Sequence, residues 1–297
     1  AEVPAVIVDV QRVGPSTGLP TRTMQGDILS TYFLSHGDAR HILLIPGSVQ
    51  ECYELAMEAF DLAERFQTPV FLMSDLDLGM NNWMADPFPY PEKGLDRGKV
   101  IRSEEELKDH VRRFKEFARY RDVDGDGIPY RTLPGLIDSP AAAYFTRGSG
   151  HSDRAAYTEK PEDYKNNMDR LARKFETARR YVPGPVVSNG SAAAIGVIAY
   201  GSSDFAVEEA RVLLARRGLK TDYLRLRALP TTEEVPSFIA SHDRVYVVDQ
   251  NRDGQMYDLL RLEIGADAVK LRSIRHYDGF PLDAETVVEG IEAGEKN

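Results

Sequence analysis

The stretch Ala5-Val-Ile-Val-Asp-Val-Gln-Arg-Val-Gly-Pro-Ser-Thr-Gly-Leu-Pro-Thr21 decides how the chain is read. Its first six residues form a short β-branched apolar run of the kind that lies inside a parallel sheet, where ligands collect beyond the strand ends. Directly after it runs a loop stiffened by Pro15 and Pro20, with Arg12 at its entrance and Ser16, Thr17 and Thr21 along it. A planar guanidinium can grip a carboxylate with two parallel charge-assisted hydrogen bonds, and hydroxyls donate or accept beside it. A bland alternative is a surface turn whose arginine pairs with a local carboxylate.

A strand ending in Asp-x-Gln-Arg and followed by Gly-Pro-Ser-Thr-Gly-x-Pro-Thr resembles the pyrimidine-binding domain of the α subunits of 2-oxoacid:ferredoxin oxidoreductases. The resemblance implies that Arg12 binds the substrate carboxylate and that Thr21 sits near the substrate, with Ser16 and Thr17 beside them. It also implies thiamine diphosphate as cofactor, with magnesium and an iron-sulfur cluster mainly on a β subunit, coenzyme A as cosubstrate and ferredoxin as electron acceptor. The substrate implied is a 2-oxoacid of the 2-oxoglutarate type. Cofactor-binding residues are not assigned. The family's Tyr-Pro-x-Thr-Pro loop and the glutamate that activates the aminopyrimidine are not found here, and with Ala1 running almost at once into a strand, the start of the pyrimidine domain is expected to be missing.

Further along, His41 to Ile45 reads as a second buried strand after a short helix between Gln25 and His36. Ser48 then caps a helix whose Cys52, Leu55, Ala56, Ala59, Phe60 and Ala63 fall on one apolar face, and Pro69 to Ser74 reads as a third strand. Strand, helix and strand with short connections is a βαβ unit. From Leu76 the apolar runs shrink, and Pro87, Pro89 and Pro91 impose an extended stretch. Glu104 to Tyr120 and Glu162 to Tyr181 read as charged amphipathic helices. A second α/β sheet is expected from the strands Ile195–Tyr200, Asp222–Leu226, Val245–Asp249 and Val269–Ser273. This part resembles the transketolase C-terminal-like domain of the same subunits, Val247-Val-Asp-Gln-Asn-Arg-Asp-Gly-Gln255 matching its strand-to-helix turn. The fold class expected is therefore α/β with two parallel-sheet domains: the end of a pyrimidine-binding domain over 1–85, a connecting region over 86–185 and the transketolase C-terminal-like domain over 186–297.

Composition narrows function. Of 297 residues, 42% are hydrophobic and 28% charged, with a formal net charge of -10, which disfavours nucleic acid and anionic membranes as partners. No apolar run is long enough to span a bilayer. A single cysteine, Cys52, suits a cytoplasmic location and cannot supply a zinc or iron-sulfur site from this chain alone.

Two motifs lie outside the arginine loop. Asp122-Val-Asp-Gly-Asp-Gly127 opens like a calcium loop, but position twelve is Leu133 instead of the bidentate glutamate, so Asp122, Asp124 and Asp126 are a weak metal candidate and a solvated Asp/Gly turn is the favoured reading. Gly148-Ser-Gly-His-Ser-Asp153 puts His151 on what reads as a flexible loop, where an imidazole could bond a carboxylate or move a proton, making it a possible catalytic residue. His36, His41, His110, His242 and His276 lack ligand spacing and read as structural. Gly201-Ser-Ser203 reads as a tight turn with a helix cap. Two other classes compete: a transketolase or 2-oxoacid dehydrogenase-like thiamine enzyme, and a noncatalytic assembly or calcium-binding module.

Overall fold

The structure, a computed structural model, describes residues 1–190 and 192–296. In chain order its elements are β1 (Ala5–Gln11), α1 (Ile28–Tyr32), β2 (Ile42–Leu44), α2 (Val49–Phe66), β3 (Pro69–Asp75) and α3 (Leu76–Met80). Next come β4 (Val100–Ile101), α4 (Glu104–Phe114), β5 (Arg131–Thr132) and α5 (Pro161–Ala178). The last part holds β6 (Val186–Ser188), β7 (Ile195–Tyr200), α6 (Asp204–Arg216), β8 (Thr221–Leu226), β9 (Ala228–Leu229), α7 (Glu234–Ala240), β10 (Arg244–Asp249), α8 (Gln255–Ile264), β11 (Leu271–Arg275) and α9 (Ala284–Glu295). Contacts divide the chain into two compact units. One comprises residues 1–5, 60–69 and 93–181, the other 6–59, 70–92 and 182–297.

The larger unit is α/β with two sheets. A five-stranded sheet runs β11-β10-β7-β8-β6, parallel except for β6, which pairs antiparallel with β8. β7 and β8 are buried along their whole length: β7 is the continuous apolar run expected of a covered parallel strand, while β8 also buries Asp222 and Arg225, the latter paired with Glu51 at 2.6 Å. On this sheet Val207, Ala210 and Leu214 of α6 pack with Val287, Val288 and Ile291 of α9 in one apolar core. The four-stranded sheet runs β1-β3-β2-β9, with β2 parallel to β3 and antiparallel to β9. The short antiparallel strands β6 and β9 carry too few residues for periodicity to reveal them.

The apolar run at Ala5 forms the expected strand but not an interior one. β1 is the edge of its sheet, and Ile7, Val8 and Val10 are exposed. Composition signals a strand; it does not say whether both neighbours are present. Other departures are local. In α2, Ser48 accepts from the Glu51 amide at 3.1 Å as a cap should, but Phe60 is exposed, and Leu62 and Phe66 are buried. Before α6, Ser203 makes no side-chain cap; its hydroxyl is bonded elsewhere. The last strand starts at Leu271 instead of Val269, because residues 265–270 wind as a 3-10 helix.

The smaller unit buries Leu62, Phe66, Tyr120 and Ile128. Ile101, Leu107 and Ala142 form one small cluster, and a two-stranded parallel ribbon joins β4 to β5. Buried charges fill much of the rest. Glu2 accepts from Arg170 at 2.6 Å and from Lys174 at 2.6 Å, all three side chains being at least nine-tenths buried. Arg131 pairs with Glu64. α4 ends at Phe114 with Lys115 at φ +75°, earlier than the sequence pattern suggests. Gly127 packs against α5 so tightly that a Cβ would lie 2.3 Å from the Lys174 amide nitrogen, and its φ of +81° also favours glycine.

Candidate functional site

Gln11 closes β1 and fixes where the loop departs. Its amide nitrogen donates to the Ser74 carbonyl at 3.3 Å, and its amide oxygen accepts from the Asp27 amide at 3.1 Å. The loop then folds on itself. Val13 N–H donates to the Arg22 carbonyl at 3.0 Å, Val13 bridges Leu19, and Gly18 N–H donates to the Pro15 carbonyl at 3.2 Å. A Cβ at Gly18 would lie 2.8 Å from the Val13 carbonyl oxygen, so the closure requires glycine. Arg22 lies 4.6 Å over the Phe280 ring, bracing the far end.

This architecture turns Arg12 outward. Its only hydrogen bond among the described residues is to the Pro20 carbonyl at 3.4 Å, and it makes no ion pair. Ser16, Thr17 and Thr21 are also exposed, and their hydroxyls have no partner among the described residues. One guanidinium and three free hydroxyls therefore lie on one constrained loop, an arrangement suited to an anionic oxygen ligand. Asp9 and Asp27 carry half-buried carboxyls without hydrogen-bond or ion-pair partners among the described residues. Burial, with Asp27 adding repulsion, raises Asp9 to about 6, and burial raises Asp27 as well.

Beneath the loop is a polar network that no sequence motif announces. Thr23 Oγ1 accepts from the Asp77 amide at 3.3 Å. The Gln25 side-chain amide donates to Asp75 at 3.2 Å and to the Tyr200 carbonyl at 3.1 Å, while its oxygen accepts from Ser203 at 3.2 Å. Ser202 Oγ donates to Asp75 at 2.7 Å, and Gln250 donates to both serines. Tyr200 donates to the fully buried Asp249 at 2.7 Å, which also accepts from the Met256 amide at 2.9 Å. The signal available in the sequence is positional: Asp75 ends β3, while Asp249, with Gln250 and Asn251 after it, ends β10, and polar residues at the ends of buried strands need partners. These bonds tie down the chain beyond the arginine loop.

His151 and Asp122 belong to the smaller unit, where they line one cavity of about 430 Å³ with Arg121, Asn167 and Arg170. His151 is buried, not on an open loop: its ring stacks on Tyr120 at 4.0 Å, Nδ1 lies 3.0 Å from the Ser152 carbonyl, and burial lowers its pKa. The Asp122 turn is internally bonded. Asp122 accepts from the Gly125 and Gly127 amides at 2.8 and 3.0 Å, and Lys99 sits between Asp124 and Asp126 at 2.7 and 2.8 Å. An ammonium thus occupies the place where a cation would bridge those two carboxylates.

The fold and the loop together define an α/β protein of the thiamine-diphosphate-binding class: residues 1–118 match the family described as pyruvate flavodoxin/ferredoxin oxidoreductase, thiamine diphosphate-binding. The chain belongs to the α subunits of the 2-oxoacid:ferredoxin oxidoreductases. It is 30% identical over 279 residues to a 2-oxoglutarate synthase subunit KorA of Methanothermobacter thermautotrophicus, covering 91% of this chain and 68% of that one. It is 33% identical over 299 residues to the α subunit of 2-oxoacid:ferredoxin oxidoreductase 1 of Aeropyrum pernix, covering 98% of this chain and 44% of that one. Among solved structures, 2-oxoglutarate:ferredoxin oxidoreductase from Magnetococcus marinus with 2-oxoglutarate, coenzyme A and succinyl-CoA bound superposes with a TM-score of 0.83 at 26% identity, covering 98% of this chain and 49% of that one. The chain thus spans about half the length of several of the relatives it matches.

Proposed function

We propose that the chain serves in the α subunit of a 2-oxoacid:ferredoxin oxidoreductase whose substrate is 2-oxoglutarate. The reaction is oxidative decarboxylation to an acyl-coenzyme A with reduction of ferredoxin. The observation that carries this reading is the outward Arg12 guanidinium beside the free hydroxyls of Ser16, Thr17 and Thr21, in a chain most of which aligns with a 2-oxoglutarate synthase subunit. In this reading Arg12 holds a substrate carboxylate and the hydroxyls fix its orientation, a positioning role that lowers the entropic part of the barrier. Thiamine diphosphate, when bound in the complex, supplies the carbon chemistry of decarboxylation.

The donors on the arginine loop, one guanidinium and three hydroxyls, suit a carboxylate. Among the described residues no three His, Cys, Asp or Glu converge on a metal position, and one cysteine cannot ligate a cluster. In this reading magnesium and the iron-sulfur cluster lie mainly on a β subunit, and ferredoxin docks to the assembled enzyme. Among the described residues no helix is long and apolar enough to cross a membrane; the single free thiol supports a cytoplasmic location as part of the same proposal.

The test is Arg12→Ala and Arg12→Lys in the reconstituted complex, with coenzyme A-dependent reduction of a viologen dye as readout. Loss of a charge-assisted bidentate contact is expected to lower kcat/KM for 2-oxoglutarate at least about tenfold, with partial recovery in the lysine variant. Unchanged kinetics, or activity of the chain without a β subunit, overturns the assignment.

A further inference from the structure

The smaller unit contains a second cavity, of about 520 Å³, unrelated to the arginine loop. Such a volume is in the range of small-molecule sites. Val100, Ile101, Tyr130 and His110 supply its apolar and aromatic lining, and Glu105 and Asp109 of α4 supply carboxylates. Arg113, one turn beyond His110 on the same helix, completes it with a guanidinium.

The hydrogen-bonding state of these groups is informative. His110 is 7% exposed and packs its ring against Phe114 and Tyr130 at 4.9 and 5.0 Å, yet neither ring nitrogen has a hydrogen-bond partner among the described residues. The ring nitrogens are not enclosed but open to the cavity that His110 lines, so without a protein partner they are placed to meet a polar ligand atom. Burial, reinforced by Arg113, lowers its pKa and keeps it neutral near pH 7, able to accept a hydrogen bond. Glu106 is already engaged, accepting from the Arg102 amide at 2.6 Å as part of the helix start. Asp109 is paired with Arg112, and the Glu105 carboxylate accepts from Ser103 and from its own amide, but Glu105 and Arg113 make no ion pair among the described residues, so their charges remain available to a ligand.

We propose that this cavity binds a free α-amino acid with an aromatic or bulky apolar side chain. The ammonium group is held by Glu105, with Asp109 and the neutral His110 beside it, and the carboxylate by Arg113. Its side chain lies on Val100, Ile101 and Tyr130. A simple cation would leave Arg113 as a repulsive neighbour, and a simple anion would face the unpaired Glu105 carboxylate. A zwitterion complements both sets at once, and the ring faces of Tyr130 and His110 favour an aromatic body.

Calorimetric titration of the full chain with L-phenylalanine, 2-phenylethylamine and 3-phenylpropanoate tests this. Saturable binding of L-phenylalanine is expected, with each half-charged analogue at least about tenfold weaker because a charged partner is left unpaired. Glu105→Gln is expected to weaken L-phenylalanine and leave 3-phenylpropanoate unaffected. Arg113→Gln is expected to weaken L-phenylalanine and leave 2-phenylethylamine unaffected. His110→Phe, which keeps the aromatic packing, removes the acceptor and is expected to lower affinity in a chain with unchanged circular dichroism. Absence of saturable binding at millimolar ligand overturns the proposal, as does equal affinity for all three compounds or indifference to both charge variants.

Discussion

The five-stranded sheet of the larger unit and the charged interior of the smaller one solve the same problem by different physics. In the first, Val197, Val207, Leu214, Val247 and Val288 are fully buried and the α6–α9 core is held by apolar area removed from water, with the Arg225–Glu51 pair on β8 as a buried exception. In the second, Glu2 is buried between Arg170 and Lys174, and Arg131 against Glu64, so desolvation is offset only while every charge keeps its partner. An apolar core degrades gradually when trimmed; a buried charge cluster fails when one member is lost.

The sharpest way to break that contrast is Glu2→Ala, which leaves two buried cations facing each other. Removing one partner of a buried ion pair is expected to cost about 3 to 5 kcal/mol. Native-state hydrogen exchange should show the loss in residues 93–181 first. Acid sharpens the point. Burial raises the Glu2 carboxyl, but Lys174 and Arg170 outweigh it and hold the group well below its ordinary 4.5. A depressed carboxyl stabilises the fold above its unfolded value, so this contribution is present at neutral pH and fades as pH falls below about 4.5. Slowed exchange at pH 7 in Glu2→Ala would contradict the contrast.

The corresponding change in the other region is Leu214→Ala, which opens a cavity under α6. A cost of about 2 to 4 kcal/mol is expected, read from the urea midpoint, with no dependence on pH between about 4 and 7. A pH-dependent loss there would mean that charge contributes to that core after all.

Legibility from the sequence divides along the same line. Ile195–Tyr200 and Val245–Asp249 lie in strands buried almost throughout, because a continuous apolar run in a covered parallel sheet carries its own signal. Ala5–Val10 has the same composition and forms an exposed edge, since no local pattern states how many neighbours a strand has. The arginine loop is readable as a motif, with Arg12 at its entrance. The network beneath it is not: Gln25 meets Tyr200 and Ser203 across more than 170 residues of chain, and single polar residues carry no periodicity. The pairing of Glu2 with Lys174, and of Lys99 with Asp124, escapes sequence reading for the same reason.

Lys99 gives a smaller effect. Burial disfavours its charge, but hydrogen bonds to Asp124 and Asp126 outweigh that and raise its pKa. With an ammonium between the two carboxylates and no glutamate at the twelfth position, calcium is expected to bind the native chain only at millimolar concentration or above. Lys99→Met frees both carboxylates at a stability cost of about 1 kcal/mol and should tighten calcium binding measurably in a titration. Submicromolar binding by the unaltered chain would show that the turn is a cation site and that the lysine is displaced from it.

The smallest expected effect separates the exposed edge strand from both interiors. Asp9 on β1 is half-buried, unpaired and near Asp27, and burial followed by that repulsion raises it from 3.8 to about 6. The folded state therefore holds its proton more tightly than the unfolded chain, so ionising Asp9 opposes folding. The cost is absent below about pH 4, grows between pH 4 and 6, and is fully present at pH 7. Asp9→Asn should stabilise the chain at pH 7 by about 1 kcal/mol or less, the value being reduced by solvent screening, and should have almost no effect at about pH 4. Thermal melts at the two pH values are the measurement. Equal effects at both would mean that packing, not charge, governs the position. Destabilisation confined to neutral pH would mean that the carboxylate has a cationic partner, making the edge strand resemble the charge-filled unit.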